Sequence, residues 1–193
     1  MQRTWSNGFK RVIRYGLPVL ILALLVFLDQ FSKEHFKNLY IEQGTTTVID
    51  GFFYFTYTVN TGAAWSFLSG VAWAQTFFKV LTAIALIVFV VFYFYALKKG
   101  YKWLQYSIVL IVGGTVGNFI DRLAFNGVTD FLSFIFGAYK FPVFNLADSF
   151  LTVGVIMLII HYLFLDNEAI FRRKKINDVD EVGVEIPRDN ENE

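Results

Sequence analysis

Residues 77–97 read FFKVLTAIALIVFVVFYFYAL, and Lys79, near the start, is the single charge among them. At a rise of about 1.5 Å per residue, a helix of some 20 apolar residues crosses roughly 30 Å of hydrocarbon. The stretch therefore predicts a membrane span. Three further blocks approach the same length: residues 15–31, 103–121 and 146–165. The first is apolar from Tyr15 to Leu28 and runs on through Asp29-Gln30-Phe31. The third is interrupted by Gln105 and a run of small residues, and the fourth holds Asp148 near its beginning and His161 near its end. The expected fold class is an α-helical integral membrane protein with four transmembrane helices.

The composition agrees. Of 193 residues, 55% are hydrophobic and 17% charged, more apolar than a soluble domain of this length. A net charge of +1 gives no reason to expect a nucleic-acid partner. The absence of cysteine excludes disulfides, thiol catalysis, iron–sulfur clusters and Cys-based zinc sites. His35 and His161 lie far apart without companions at ligand spacing, so neither a metal nor any other cofactor is expected.

Basic residues set the direction of the spans. Arg3, Lys10, Arg11 and Arg14 precede the first; Lys98, Lys99 and Lys102 separate the second and third; Arg172 to Lys175 follow the fourth. The positive-inside rule makes these regions cytoplasmic, with both termini inside and residues 32–76 and 121–145 outside. Trp73 and Trp103 fall at span ends, where interfacial aromatics are expected. The flank Asp29 to Glu34 has no small-residue cleavage pattern, so the first span reads as a retained helix. Residues 1–14 form a basic cytoplasmic segment, residues 15–165 one membrane domain, and residues 166–193 an acidic cytoplasmic tail expected to be disordered. Outside, Thr45 to Ile49 and Phe52 to Val59 flank Asp50-Gly51, a hairpin signal that predicts a small outward-facing β-sheet on the membrane surface.

Four aspartates do not belong in hydrocarbon. Asp29, Asp121, Asp130 and Asp148 all fall at the outer ends of the spans, where this topology adds Lys33, Asn60, Asn118, Arg122 and Asn145. An aspartate at mid-membrane costs about 3 kcal/mol, less near an interface. Convergence of all four on one face predicts a functional polar cluster. Gly113 and Gly117 form a GxxxG pair, which close helix packing explains by itself. Asn118, Asp121 and Arg122 follow at i, i+3 and i+4, so a polar face continues from the glycine face, as a bound substrate strand would need.

With these blocks in place, the chain resembles the lipoprotein signal peptidases, or signal peptidase II. Asp29-Gln30-Phe31-Ser32-Lys33 is similar to the family's Asp-Gln-x-x-Lys. Asn60 to Ser66 resembles Asn-x-Gly-Ala-Ala-Phe-Ser, with Trp65 in place of Phe. Gly113 to Arg122 matches Gly-Gly-x-x-Gly-Asn-x-x-Asp-Arg, while Val128 to Phe131 and Phe144 to Asp148 match the two motifs bearing the family's catalytic aspartates. The blocks occur in order over roughly Gly16 to Leu165.

The resemblance implies an aspartic-type membrane endopeptidase of the bacterial inner membrane, with its site at the periplasmic face. It would remove signal peptides from diacylglyceryl-modified prolipoproteins, cleaving before the lipidated cysteine. Asp130 and Asp148 would be catalytic. Asn60, Gly114, Asn118, Arg122 and Asn145 would contact substrate, with Asp29, Lys33 and Asp121 supporting and Asp121 the ion-pair partner of Arg122. The partners implied are the lipidated prolipoprotein and membrane lipid, and a monomer is expected. Elementary electrostatics supports such a pair: carboxylates about 3 Å apart repel by roughly 5 kcal/mol at an effective dielectric of 20. That is about four pKa units, so near neutral pH they share one proton. The ionised member can activate water while the protonated one polarises the scissile carbonyl.

Two rivals predict other patterns. A small membrane transporter or proton channel would place polar residues along a path through the bilayer, whereas the inner halves of these spans are apolar. A non-catalytic scaffold would use the glycines for packing but gives no reason for two aspartates and three asparagines to share the outward motifs.

Overall fold

The computed structural model describes residues 2–62, 71 and 73–166, with side chains from residue 12 onward. The Trp65 motif beyond Gly62 and the acidic tail after Asp166 lie outside the described residues. Four helices, α1 (Gln2–Gln43), α2 (Ala74–Lys99), α3 (Lys102–Phe125) and α4 (Leu146–Ile160, continued by a π-helical turn over His161–Leu165), carry the fold. All four are long and apolar enough to cross a membrane. The first three begin or end beyond their expected spans, because hydropathy marks only the part suited to hydrocarbon and the hydrogen-bonded helix continues past it, while the fourth fills residues 146–165 as expected.

The largest extension is in α1, which continues from Phe31 to Gln43. Its last turns are polar but locally satisfied: Glu34 takes Lys37 and Asn38 at 3.2 Å each. They also have something to pack on. Phe36 stacks on Phe55 at 4.0 Å and on Phe131 at 4.6 Å between ring centroids, fixing α1 to the sheet.

That sheet is antiparallel, in the order β1 (Thr46–Ile49), β2 (Phe53–Asn60), β3 (Val128–Phe136), β4 (Tyr139–Lys140). The β1–β2 hairpin turns at Asp50-Gly51 as its sequence predicts, within a residue at each end. β3 was not anticipated as a strand. It pairs with β2 across some 70 positions of sequence, with Thr58 opposite Asp130 and a register irregularity between Phe55 and Thr58. Bulges of this kind re-aim side chains beside functional sites.

Helix α3 is the centre of the bundle, packing against α1, α2 and α4. Its glycines explain how. A Cβ on Gly114 would meet the Ala147 carbonyl oxygen, with Leu151 N at 3.0 Å, and one on Gly117 would meet the Asp29 carboxylate, with its Cγ at 2.9 Å. Backbone thus meets backbone between α3 and α4, as small residues allow in membrane helices. At the end of the bundle away from the sheet, Arg14 Nη2 donates to the Leu97 carbonyl oxygen at 3.0 Å, so the first basic segment meets the α2–α3 connection.

Candidate active site

Asp130 owes its place to strand alternation. Side chains along β3 point to opposite faces in turn: Val128 and Asp130 line a cleft of about 790 Å³, whereas Thr129 borders a smaller crevice and Phe131 packs on α1. Asp148 comes from the first turn of α4. That helix starts at Asn145, whose side-chain oxygen accepts from the Asp148 N–H at 2.9 Å while Asp148 Oδ2 accepts from the Asn145 N–H at 3.2 Å. This reciprocal capping box fixes the carboxylate of Asp148 against the helix N-terminus.

Asn145 also reaches the strand. Its Nδ2 donates to Asp130 Oδ1 at 2.7 Å and to the Thr129 carbonyl oxygen at 3.1 Å. One fully buried residue therefore holds both carboxylates, Asp130 through its side-chain amide and Asp148 through its backbone N–H. Asn60 contributes a further hydrogen bond to Asp130. Burial first, and then the Asp148 charge, push the Asp130 carboxyl up to about 7, against the opposing pull of Asn145, Asn60 and Lys33. A group so placed holds a proton near neutral pH, while the capped Asp148 is offered donors suited to an anion.

Behind the pair lies a second layer. Asn118 Nδ2 donates to Asp148 Oδ1 at 2.8 Å. Lys33 meets Asp29 at 2.8 Å and Asp121 at 3.2 Å, all three buried. Asp29 accepts the Ala147 N–H at 2.9 Å, and Asp121 accepts the Thr129 N–H at 2.9 Å. Each of these two aspartates thus pins the backbone next to one cleft aspartate.

Two expectations need correction. Asp121 pairs with Lys33 rather than Arg122, because adjacent helix residues point about 100° apart. It faces the smaller crevice, whereas Asn118 and Arg122 line the cleft. Gly114 lies in the α3–α4 seam against Ala147 and is absent from the cleft wall. Arg122 instead lies over the Phe78 ring at 5.6 Å and donates to the Gly62 carbonyl oxygen at 3.4 Å. Asn60, Asn118, Arg122, Asp130 and Asp148 share the cleft, with Asn145 buried behind it.

Sequence reasoning passed over Gln30, whose Nε2 donates to Asp121 at 3.0 Å, to the Gly117 carbonyl oxygen at 3.1 Å and to Asp29 at 3.2 Å. A glutamine at a span end beside an aspartate was the available signal. Ser149 and Thr152 also line the cleft; Thr152 lies four residues beyond Asp148 and three beyond Ser149, spacings that share a helix face. Among the described residues, no group of three or more His, Asp or Glu side chains is arranged to hold a metal ion.

Comparison with known proteins points to one family. A family model described as signal peptidase (SPase) II matches residues 21–164. A lipoprotein signal peptidase of Bacillus velezensis is 44% identical over 149 residues, covering 77% of this chain and 94% of that protein. One of Bacillus pumilus is 42% identical over 144 residues, covering 75% and 90%. A solved bacterial membrane enzyme at 1.9 Å resolution superposes with a TM-score of 0.62 and 38% identity, covering 77% of this chain and 94% of that one.

Proposed function

Because the chain belongs to the signal peptidase II family, we propose that it removes signal peptides from prolipoproteins by aspartic-type hydrolysis at Asp130 and Asp148. It is a membrane endopeptidase. The observation that carries the residue assignment is the joint hold of Asn145 on both carboxylates beside an open cleft. Asp148 accepts a proton from water as the hydroxyl adds to the scissile carbonyl, and protonated Asp130 donates a hydrogen bond to that carbonyl oxygen. On collapse the proton taken by Asp148 passes to the leaving nitrogen, the pair is restored, and the carboxylic acid left on the signal peptide gives up its proton to solvent. Asn60, Asn118 and Arg122 supply polar contacts along the extended substrate, and the apolar wall of Phe141, Val143, Leu151 and Val153 takes lipid-like groups.

The substrate carries diacylglycerol on its cysteine, and the bond cut lies just before it. The scissile bond then reaches the sheet-bearing end of the bundle while the signal helix and acyl chains stay in lipid. That end faces outward from the inner membrane, with both termini cytoplasmic and the chain acting as a monomer; the basic clusters support this direction. The test is cleavage of a lipidated prolipoprotein by the purified chain in lipid, beside its unlipidated counterpart. Equal cleavage of both would remove the lipid requirement, and no cleavage of either would remove the activity. A reporter near Gln43 should read external and one after Lys99 cytoplasmic.

A further inference from the structure

We infer that Lys33 is a positioning residue for the hydrolysis: its ammonium decides which way the amides of Asn118 and Asn145 face, and through them how both carboxylates are held. This deepens the assignment of Asp130 and Asp148 and rests on it.

Lys33 is 4% exposed and its ammonium meets three acceptors, Asp29 Oδ2 at 2.8 Å, Asn118 Oδ1 at 3.0 Å and Asp121 Oδ2 at 3.2 Å. An ammonium has three donors and no acceptor, so all its capacity is used. It can face only the oxygen of the Asn118 amide. The Asn118 nitrogen must then point the other way, where it donates to Asp148 Oδ1 at 2.8 Å. Asn118 Oδ1 also accepts from Asn145 Nδ2 at 3.1 Å, which aims that nitrogen at Asp130 and leaves the Asn145 oxygen to cap α4. Reversing Asn118 would set its NH₂ against the ammonium and against Asn145 and take its donor away from Asp148 Oδ1. A buried cation thus orders two amides in series.

A purely structural Lys33 would pair with Asp29 one turn earlier on α1 and tie α1 to α3 through Asp121. That accounts for two of its donors. The third also reaches α3, but onto Asn118, whose other end holds Asp148, and it is the one that leads to the pair. Lys33 also lowers the proton affinity of Asp130 by its charge. The other charged groups about Asp130 are Asp148 on α4, Arg122 on α3 across the cleft, and Asp29 and Asp121 behind Lys33.

The experiment measures kcat and KM against pH for the full chain in detergent–lipid micelles with a lipidated prolipoprotein, alongside thermal unfolding. Lys33→Met should lower kcat by about 30-fold or more with KM within about threefold, the pattern of lost transition-state positioning. The alkaline limb of the rate should move to higher pH. Lys33→Arg, still a pure donor, should keep the limb in place and recover much of kcat. Because Lys33→Met leaves Asp29 and Asp121 uncompensated, the paired variant Lys33→Met with Asp29→Asn retains the cluster's net charge and should keep the kcat loss with a smaller limb shift. A folded Lys33→Met with an unmoved limb, a folded paired variant with wild-type kcat, or a kcat loss matching only the lost folded fraction would overturn the inference. So would collapse of both Met variants, which would make Lys33 purely structural. Wild-type chain inactive on this substrate would instead overturn the proposed function itself.

Discussion

Asn145 Nδ2 donates to Asp130 Oδ1 at 2.7 Å across the gap between the first turn of α4 and strand β3. The same side chain caps α4, so one residue serves helix stability and the site at once, and substitution can separate these duties. Asn145→Ser keeps an oxygen for the Asp148 N–H and should cost only a few tenths of a kcal/mol of cap stability, whereas Asn145→Ala should cost about 1 kcal/mol. Both lose the donor to Asp130 and should cut kcat/KM by about 100-fold or more, as for one preorganised donor. A serine variant of wild-type stability and full activity would remove Asn145 from the site.

Asp130, raised to about 7 from an ordinary 3.8, binds its proton more tightly folded than unfolded. Between those two values the folded chain holds more protons. Stability should therefore fall as pH rises across that window, with a slope of at most about 1.4 kcal/mol per pH unit from this group. Asp130→Asn should flatten that component in thermal unfolding measured from pH 4 to 8. The wild-type hydrolysis rate should decline as pH rises through about 7, because the proton on Asp130 is lost. A rate still climbing at pH 9 would assign the acid elsewhere.

Gly114 tests whether the helix seam, rather than contact with substrate, explains a glycine there. Gly114→Ala places a methyl on the Ala147 backbone, where no side chain can yield. Overpacking of this kind costs about 1–3 kcal/mol, and it should shift α4 and Asp148 with it. Lower thermal stability should accompany lost activity. Gly16→Ala, whose Cβ would meet only Val12 Cγ1 at 3.8 Å, should be neutral or slightly stabilising. Unchanged stability with a raised KM in Gly114→Ala would return that glycine to the cleft.

The four spans were legible because hydrocarbon demands long apolar runs, and the β1–β2 hairpin because Asp50-Gly51 is a local signal. What depends on remote partners was not. Residues 32–43 are too polar to register as a span, and their helix is held by the stack of Phe36 on Phe55 and Phe131. β3 needs β2 as its partner, so Val128 to Phe131 reads as a motif before it reads as a strand. Asp121 sits next to Arg122 in sequence, yet its cation is Lys33, 88 positions earlier. The residue types of the site could be read in order along the chain; the wiring through Asn118, Asn145 and Gln30 needed the fold.

The last prediction concerns which aspartates do the chemistry. Asp130→Asn and Asp148→Asn remove the shared proton with little change of shape. Each should lower turnover by about 10⁴-fold or more, and the double variant should be little worse, because groups acting as a unit are not additive. Both should still insert, since Asn at 148 keeps an oxygen for the Asn145 N–H and Asn at 130 one for the Asn145 amide. Asp121→Asn should differ. Its remaining oxygen can accept the Thr129 N–H, but the ion pair to Lys33 is lost, so stability falls while part of the activity remains. Cleavage by all four variants, matched for membrane abundance, makes the comparison. Robust cleavage by Asp130→Asn with none by Asp121→Asn would move the pair to Asp121 and Asp148, leaving Asn145 to hold a carboxylate that does no chemistry.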